Sequence, residues 1–507
     1  MNRRRRVVVV GAGVGGLVAA ALVAAHGHDV TVLEQQVLPG GKLREVHVAG
    51  RGLDAGPTVF TMRPVFEALF DELGLRLDDL LALQPARVLA RHAWNDRDRL
   101  DLPADLDEAV DAIGAFAGAA EARGYRSFCA RARRIHDTLD KPYLHGSRPG
   151  VARLMARAGW RGLPALAGIA PFTRLWTALG THFQDPRLRQ LFARYATYCG
   201  TSPFVAPATL MLVAHVERCG VWFVDGGMQR LAGALAAAAR GHGARLRFGT
   251  PVASIDVERG AVAGVTLAGG ERLPADAVVF NGDVGALAGG LLGAAACRAA
   301  PRRPPRSFSA LTWHLVADTR GLALHHHTVF FGADYRAEFN ALAAGRLPDD
   351  PTVYVCAQDR SDDGPADPAG GERLMLLVNA PARPQLTAEE IETCRQASLL
   401  RLQRCGLHLR PRAPALTTTP ADFAQRFPGT DGALYGRPTQ GWRASFQRPG
   451  STCALRGLYL AGGSVHPGPG LPMAAISGRL AAAQLNADLA STRSWHAMAM
   501  PGGTSMR

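Results

Sequence analysis

Val7-Val8-Val9-Val10-Gly11-Ala12-Gly13-Val14-Gly15-Gly16-Leu17-Val18 opens a stretch that stays rich in Ala, Leu and Val to Ala25 and resumes at Asp29-Val30-Thr31-Val32-Leu33-Glu34. The valine run reads as a strand buried on both faces. It breaks at Gly11–Gly16, passes into a helix, and is followed by a second strand that ends on an acid. Gly11 permits the tight turn, Gly13 lets a pyrophosphate approach the backbone, and Gly16 lets the helix pack on the strand. The helix start presents free N–H groups and a positive dipole to phosphates. Glu34 stands 18 residues after Gly16, where a carboxylate can hold the ribose hydroxyls of an adenosine. Strand, turn, helix and acid together predict dinucleotide binding.

Arg3–Arg6 followed by an uncharged run imitates a secretory signal. Four glycines in six residues, and a direct run into His28-Asp29 and another strand, argue against export. With 507 residues, two domains are expected. The net charge of +14 is compatible with nucleic acid, an anionic membrane surface or an arginine-rich coding bias. No zinc-finger, helix-turn-helix or aromatic RNA-binding pattern accompanies it, so no nucleic-acid partner is expected. The eight cysteines are scattered singly, which implies neither a zinc site nor a disulfide scaffold. His325-His326-His327 imitates a metal tract, but the surrounding sequence supplies no ligand pattern. A solvated loop and no metal are expected there. Gly457–Gly478 is long and uncharged, yet its prolines and glycines exclude a spanning helix.

Pro39-Gly40-Gly41-Lys42 and Asp54-Ala55-Gly56-Pro57-Thr58 are loops placed to line the same crevice. From about Leu89 to Gly200 strands become rare, and helices are expected over Ala104–Leu139 and, broken by prolines, over Val151–Tyr198. Between Arg148 and Arg194 eight arginines and a single acid, Asp185, interleave with Trp, Phe and Leu. That pattern suits either an interfacial segment facing anionic lipid or a helical cap packed on its own domain. Alternating α/β character then returns, with strands near Arg245–Phe248, Val252–Asp256, Val262–Leu267 and Ala275–Asn281. Further strands are expected near Ser309–Val316, Thr352–Ala357 and Arg373–Val378, then a helix from Ala388 capped by Thr387. Ser361–Gly371 reads as an exposed loop, and the tail beyond Ser491 as frayed. Near the C-terminus, Leu458–Ala461 and Gly462-Gly463-Ser464-Val465-His466-Pro467-Gly468-Pro469-Gly470-Leu471-Pro472-Met473 form a second strand–turn–helix. Its helix start can aim N–H groups at a phosphate or an electron-rich ring.

The GAGVGG turn, Glu34, the PGGK turn, the DAGPT loop and YLAGGSVHPGPGLPMAAISG resemble the flavin-dependent carotenoid desaturases of bacteria, the phytoene desaturase type. DAGPTVFTMRPVFEALF, FARYATYCGTSPFVAPATLMLVAHVE and HPGPGLPMAAISGR are most similar to the hydroxyneurosporene (methoxyneurosporene) desaturases of purple phototrophs. Where phytoene desaturases usually carry PGAGIPG, this chain has PGPGLPMAA. The resemblance implies an α/β fold: a discontinuous Rossmann-like FAD-binding domain, a mixed-sheet substrate domain, and a helical region that could face a membrane. The parts are expected as FAD-binding over 1–88, 216–300 and 441–490, a helical substrate region over 89–215, a substrate domain over 301–440 and a flexible tail over 491–507.

By the same resemblance Gly11, Ala12, Gly13, Gly15 and Gly16 would hold the FAD pyrophosphate and Glu34 the adenosine ribose. Gly41 and Lys42 would lie along the ribityl and phosphate region, and the backbone of Val252 would meet the adenine. Gly462 and Gly463 would flank the ribityl-phosphate, with Met473 near the isoalloxazine edge. The implied substrate is a long polyene drawn from a membrane, which places the protein in the cytoplasm, peripherally on the inner membrane. The implied reaction is 3,4-desaturation of a 1-hydroxycarotenoid such as 1-hydroxyneurosporene, giving demethylspheroidene. It would proceed by hydride transfer to the flavin and reoxidation by a quinone or oxygen. A tertiary hydroxyl in an apolar pocket needs polar partners. Tyr195, Tyr198, His215 and Glu217 lie in the subfamily-like stretch, their side-chain directions open. No residue is singled out as the proton acceptor. A general desaturase, a carotenoid isomerase, an amine or porphyrinogen oxidase and a prenyl-binding chaperone remain alternatives.

Overall fold

The strand Arg6–Val10 becomes the middle of a five-stranded parallel sheet in the computed structural model. Residues 4–146, 150, 154–156, 159–160, 162, 166, 168–300, 305–361 and 370–497 are described. The strand order is Arg245–Arg247, Asp29–Leu33, Arg6–Val10, Ala277–Phe280, Leu458–Leu460. Val10 stands level with Leu33 on one side and Phe280 on the other. The sheet therefore draws strands from the beginning, the middle and the end of the chain.

The helix Val14–Ala25 is buried from Val14 to Ala24 and packs against both Gln229–Gly241 and Leu471–Ala497. Small residues make that triple contact possible. A Cβ on Gly478 would stand 2.3 Å from the Gly15 carbonyl oxygen, well inside van der Waals contact. The C-terminal helix runs to Ala497, past the Ser491 boundary expected for a frayed tail.

A larger mixed sheet forms a second layer, in the order Leu407–Pro411, Ser309–Gly321, Glu372–Ala380, Val353–Ala357, His327–Phe330, Val88–Ala93, Arg99–Pro103, with Leu416–Thr418 also on Ser309–Gly321. The pair His327–Phe330 and Val88–Ala93 is parallel and the others are antiparallel. Val88–Ala93 and Arg99–Pro103 correct the expectation of few strands after Leu89. They are short, and Val88–Ala93 pairs with a strand more than two hundred residues away, which local pattern cannot reveal.

Helices Leu106–Ala117 and Ala119–Leu139 follow, then Leu175–Leu179, Pro186–Ala193, the 3₁₀ turn Arg194–Cys199 and Leu212–Arg218. Asp185, the lone acid of the basic segment, caps Pro186–Ala193 by accepting the Arg187 N–H at 2.8 Å. Arg187 also pairs with Asp98 and Asp185, and Arg189 lies over the Trp176 ring. Leu175, Leu179 and Phe183 are fully buried with Phe128 and Phe192. Trp160 and Phe172 are instead 78% and 73% exposed. The segment is thus part packed cap and part outward-facing rings. Arg148, Arg153, Arg157, Arg161 and Leu163 lie outside the described residues, as does most of Ser361–Gly371.

Candidate flavin and substrate site

Glu34 directly follows the second strand, almost wholly buried, and its carboxylate accepts the Ala12 N–H at 2.6 Å and the Gln36 N–H at 2.9 Å. Burial lifts its pKa above the usual carboxylate range, against these backbone donors. The remaining lone pairs on both oxygens can accept ribose hydroxyls. Gly11 has φ +100°, and a Cβ on Gly16 would stand 2.1 Å from the Gly11 carbonyl oxygen. Gly13 is the N-cap of Val14–Ala25 and supplies no side-chain cap, nor does the first turn carry an acid. The helix start is therefore an uncapped set of donors in a cradle that any side chain would fill, the arrangement a pyrophosphate needs.

Asn281, which the sequence reading did not single out, wedges into this cradle. A Cβ on Gly13 would come within 2.6 Å of its Nδ2, and one on Gly462 within 2.9 Å of its Oδ1. Gly40 and Gly41 both take positive φ, and the Gly40 N–H donates to Ala12 at 2.8 Å, so the PGGK turn lies along the glycine turn. The Lys42 ammonium donates to the Leu434 carbonyl. Burial lowers its pKa, with Asp283 opposing and Arg448 reinforcing the shift. Thr250 donates its N–H to the Glu34 carbonyl at 2.8 Å, bringing Val252 to the Glu34 end of the crevice. Asp54 of the DAGPT loop turns away from the crevice and accepts the Met228 N–H at 2.8 Å, fastening the loop to the start of Gln229–Gly241.

A cavity of about 1400 Å³ joins these parts. Gly11, Gly13, Gly15, Glu34, Gly41, Lys42, Val252, Gly462, Gly463 and Met473 all line it; Ala12 and Gly16 do not. The residues fit FAD. Arg448 also lines it, although nothing in the sequence pattern marks this residue. It is buried and donates to the carbonyls of Tyr435 and Gly463, both at 3.2 Å, and to that of Arg437. Beyond the nucleotide cleft the wall turns apolar, with Leu139, Val213, Val329, Leu377 and Phe446. It reaches the exposed side chains of Met155 and Phe172, where the cavity meets the surface.

Polar groups interrupt that wall. Tyr198 and Glu217 line the cavity and Tyr195 sits behind them, whereas His215 faces away against the His136 ring. The histidine run is a loop only in part: His325 and His326 lie in it, half-buried. His327 opens the strand His327–Phe330, is 4% exposed, and bonds the Tyr354 hydroxyl through Nδ1 at 2.7 Å. The ring of His326 stacks on Phe223. Ligand atoms of His326, His327 and Cys356 lie within 4.8 Å of one another. The parallel pairing of this strand with Val88–Ala93 draws His327 inward, so the surrounding sequence could not show its burial.

The family model of flavin containing amine oxidoreductases matches residues 14–486. Hydroxyneurosporene desaturase of Rubrivivax gelatinosus is 52% identical over 514 aligned residues, covering 100% of this chain and 98% of the relative. The protein of the same name from Cereibacter sphaeroides is 46% identical, covering 96% and 98%. Among solved structures, an oxidoreductase from Methanosarcina mazei superposes with a TM-score of 0.60 at 16% identity, covering 94% of this chain and 99% of the other. That likeness concerns the fold. The expected α/β architecture and FAD cofactor agree with these matches. The chain belongs to the flavin containing amine oxidoreductase family, on the branch where the hydroxyneurosporene desaturases lie.

Proposed function

We propose that the protein is an FAD-dependent desaturase of carotenoid biosynthesis that forms the 3,4 double bond of a 1-hydroxycarotenoid, with 1-hydroxyneurosporene the expected substrate. The observation that carries the reading is the full-length 52% identity to a hydroxyneurosporene desaturase. It is supported by an apolar cavity, continuous with the nucleotide cradle, that suits a long polyene. Bound flavin would accept a hydride equivalent from the carbon placed against it, the adjacent carbon losing a proton as the double bond forms. The residues of this chain would supply the rest. Gly11–Gly16 and Glu34 would hold the nucleotide, Gly41, Lys42, Gly462 and Gly463 would flank the middle of the cofactor, and Met473 would border the ring. The apolar wall would keep water from the reacting carbons.

The same reading places the protein peripherally on the cytoplasmic face of the inner membrane, where such a substrate dissolves. No helix among the described residues is long and apolar enough to cross a membrane, and the exposed Phe172 and Met155 border the cavity. Reoxidation would use a quinone or oxygen, to be separated by the rate at which each recolours the reduced protein. Pigment analysis in cells making neurosporene and its 1-hydroxy derivative tests the whole reading. The expected product is two mass units lighter and arises from the hydroxylated precursor; an unchanged pigment profile with flavin-loaded protein present would reject it.

A further inference from the structure

Among the polar groups that interrupt the apolar wall of the cavity is a charged network. The 3₁₀ turn Arg194–Cys199 sets Tyr195 and Tyr198 three residues apart, so the two rings leave on one face. Both phenols donate to the Glu217 carboxylate on helix Leu212–Arg218, Tyr195 at 2.8 Å and Tyr198 at 3.0 Å. Arg194 donates to the Tyr198 hydroxyl at 2.8 Å, and its buried Nε has no partner. A carboxylate offers about four acceptor positions, and the two phenols occupy two. Glu217 and Tyr198 border the cavity, and the phenols leave about two acceptor positions of the carboxylate unused. Burying such a network is costly, and a pure hydrocarbon would leave it unanswered.

The network also stands beside the cofactor cleft. Val59 and Tyr354 share a small pocket with Tyr198 and Glu217. The neighbouring Thr58 bonds the Tyr354 hydroxyl at 2.7 Å, and a Cβ on Gly56 of the same loop would lie 1.9 Å from the Lys42 carbonyl oxygen. The loop that rests on the cofactor turn therefore also borders the polar network.

We propose that Glu217, oriented by Tyr195 and Tyr198, accepts a hydrogen bond from a hydroxyl at the end of the polyene and so selects hydroxylated substrates over hydrocarbons. This rests on the desaturase reading for the identity of the polyene. It agrees with that chemistry, because a hydroxyl on C-1 lies only two carbons from the nearer reacting carbon. A group held beside the cofactor loop would hold the reacting bond there too.

The test is equilibrium binding to the FAD-loaded protein, followed by tryptophan fluorescence in detergent, with 1-hydroxyneurosporene and neurosporene as the two probes. The wild type is expected to favour the hydroxylated probe by about tenfold or more, and Glu217→Gln or Tyr198→Phe to bring the two affinities within about threefold, as loss of a hydrogen bond to a charged group implies. A wild type without preference, or variants that weaken both probes in parallel, would overturn the assignment. Tyr198→Phe removes one hydroxyl and leaves the ring, which covers the case where Glu217→Gln fails to fold; flavin absorbance reports folding in both. Turnover is measured on the same samples. Preference without conversion would reject the desaturase reading and leave the hydroxyl site standing.

Discussion

The Glu34 carboxylate accepts the Ala12 N–H at 2.6 Å, tying the end of the second strand to the middle of the glycine turn. The acid therefore has two duties: it orders the phosphate cradle, and it offers its remaining lone pairs to a ribose. Glu34→Ala removes both and leaves a buried donor unpaired, at a cost of about 1–3 kcal/mol. FAD content after gel filtration is expected to fall sharply while the far-UV spectrum persists. A variant purifying fully loaded with flavin would remove Glu34 from the site.

Glycine-to-alanine changes separate cradle from scaffold. Gly16→Ala drives a Cβ to 2.1 Å from the Gly11 carbonyl oxygen, a clash with backbone that cannot yield without opening the turn. Gly233→Ala, in the middle of helix Gln229–Gly241, meets no atom within 4 Å and should stabilise by up to about 1 kcal/mol. Flavin-loaded yield and melting temperature of the two variants should move in opposite directions.

Arg448 holds three carbonyls at once, and lysine cannot copy its forked geometry. Arg448→Lys and Arg448→Met are both expected to cost about 3 kcal/mol or more and to loosen the turn bearing Gly463. Urea melts and the visible circular dichroism of bound flavin would register the two effects separately. An unchanged midpoint in either variant would contradict this role.

Two buried histidines set an acid limit. Burial, then the Arg194 charge, lowers His92 to about 3; burial, then Arg44, lowers His314 to about 4. Both stay neutral in the folded protein while their unfolded counterparts take up protons below the usual pKa of about 6.5. Their stabilisation is complete above that value and is lost as pH falls towards 4, by about 2 kcal/mol for His92 at pH 5. Thermal melts between pH 8 and pH 5 should slope downward towards acid, and His92→Leu should flatten the slope even if its overall stability is lower.

The exposed rings Trp160 and Phe172 should contact lipid if the cavity mouth rests on a membrane. Trp160→Ser combined with Phe172→Ser is expected to lower partitioning onto anionic liposomes about tenfold, given about 25 cal/mol per Å² of apolar area withdrawn. One molar salt should release part of the wild type if arginines contribute. Flotation unaffected by the double change would place the contact elsewhere.

The nucleotide half was legible because its signals are local. Val7–Val10, the glycine spacing and Glu34 each depend on neighbours within a strand, a turn or a helix start, where periodicity and φ govern. The residues Gly41, Lys42, Gly462, Gly463 and Met473, taken from the resemblance, converge on the same cavity. Asp54 shows the limit of motif reading: it belongs to a loop at the crevice but spends its carboxylate on a helix start.

What the sequence determined by itself was the α/β class and, at its N-terminal end, the strand, glycine turn, helix and second strand leading to Glu34. Tertiary structure alone decided the rest. Pairing of His327–Phe330 with Val88–Ala93 buried the last residue of a histidine run that looks solvated and put strands into a stretch expected to be helical. Packing brought Asn281 and Arg448 into the cavity from opposite ends of the chain's second half, and folded Tyr195, Tyr198 and Glu217 into one network. The physical reason is common to all of these. Burial and hydrogen-bond partnership are properties of a side chain's spatial neighbours, and those neighbours lie tens to hundreds of residues away in sequence.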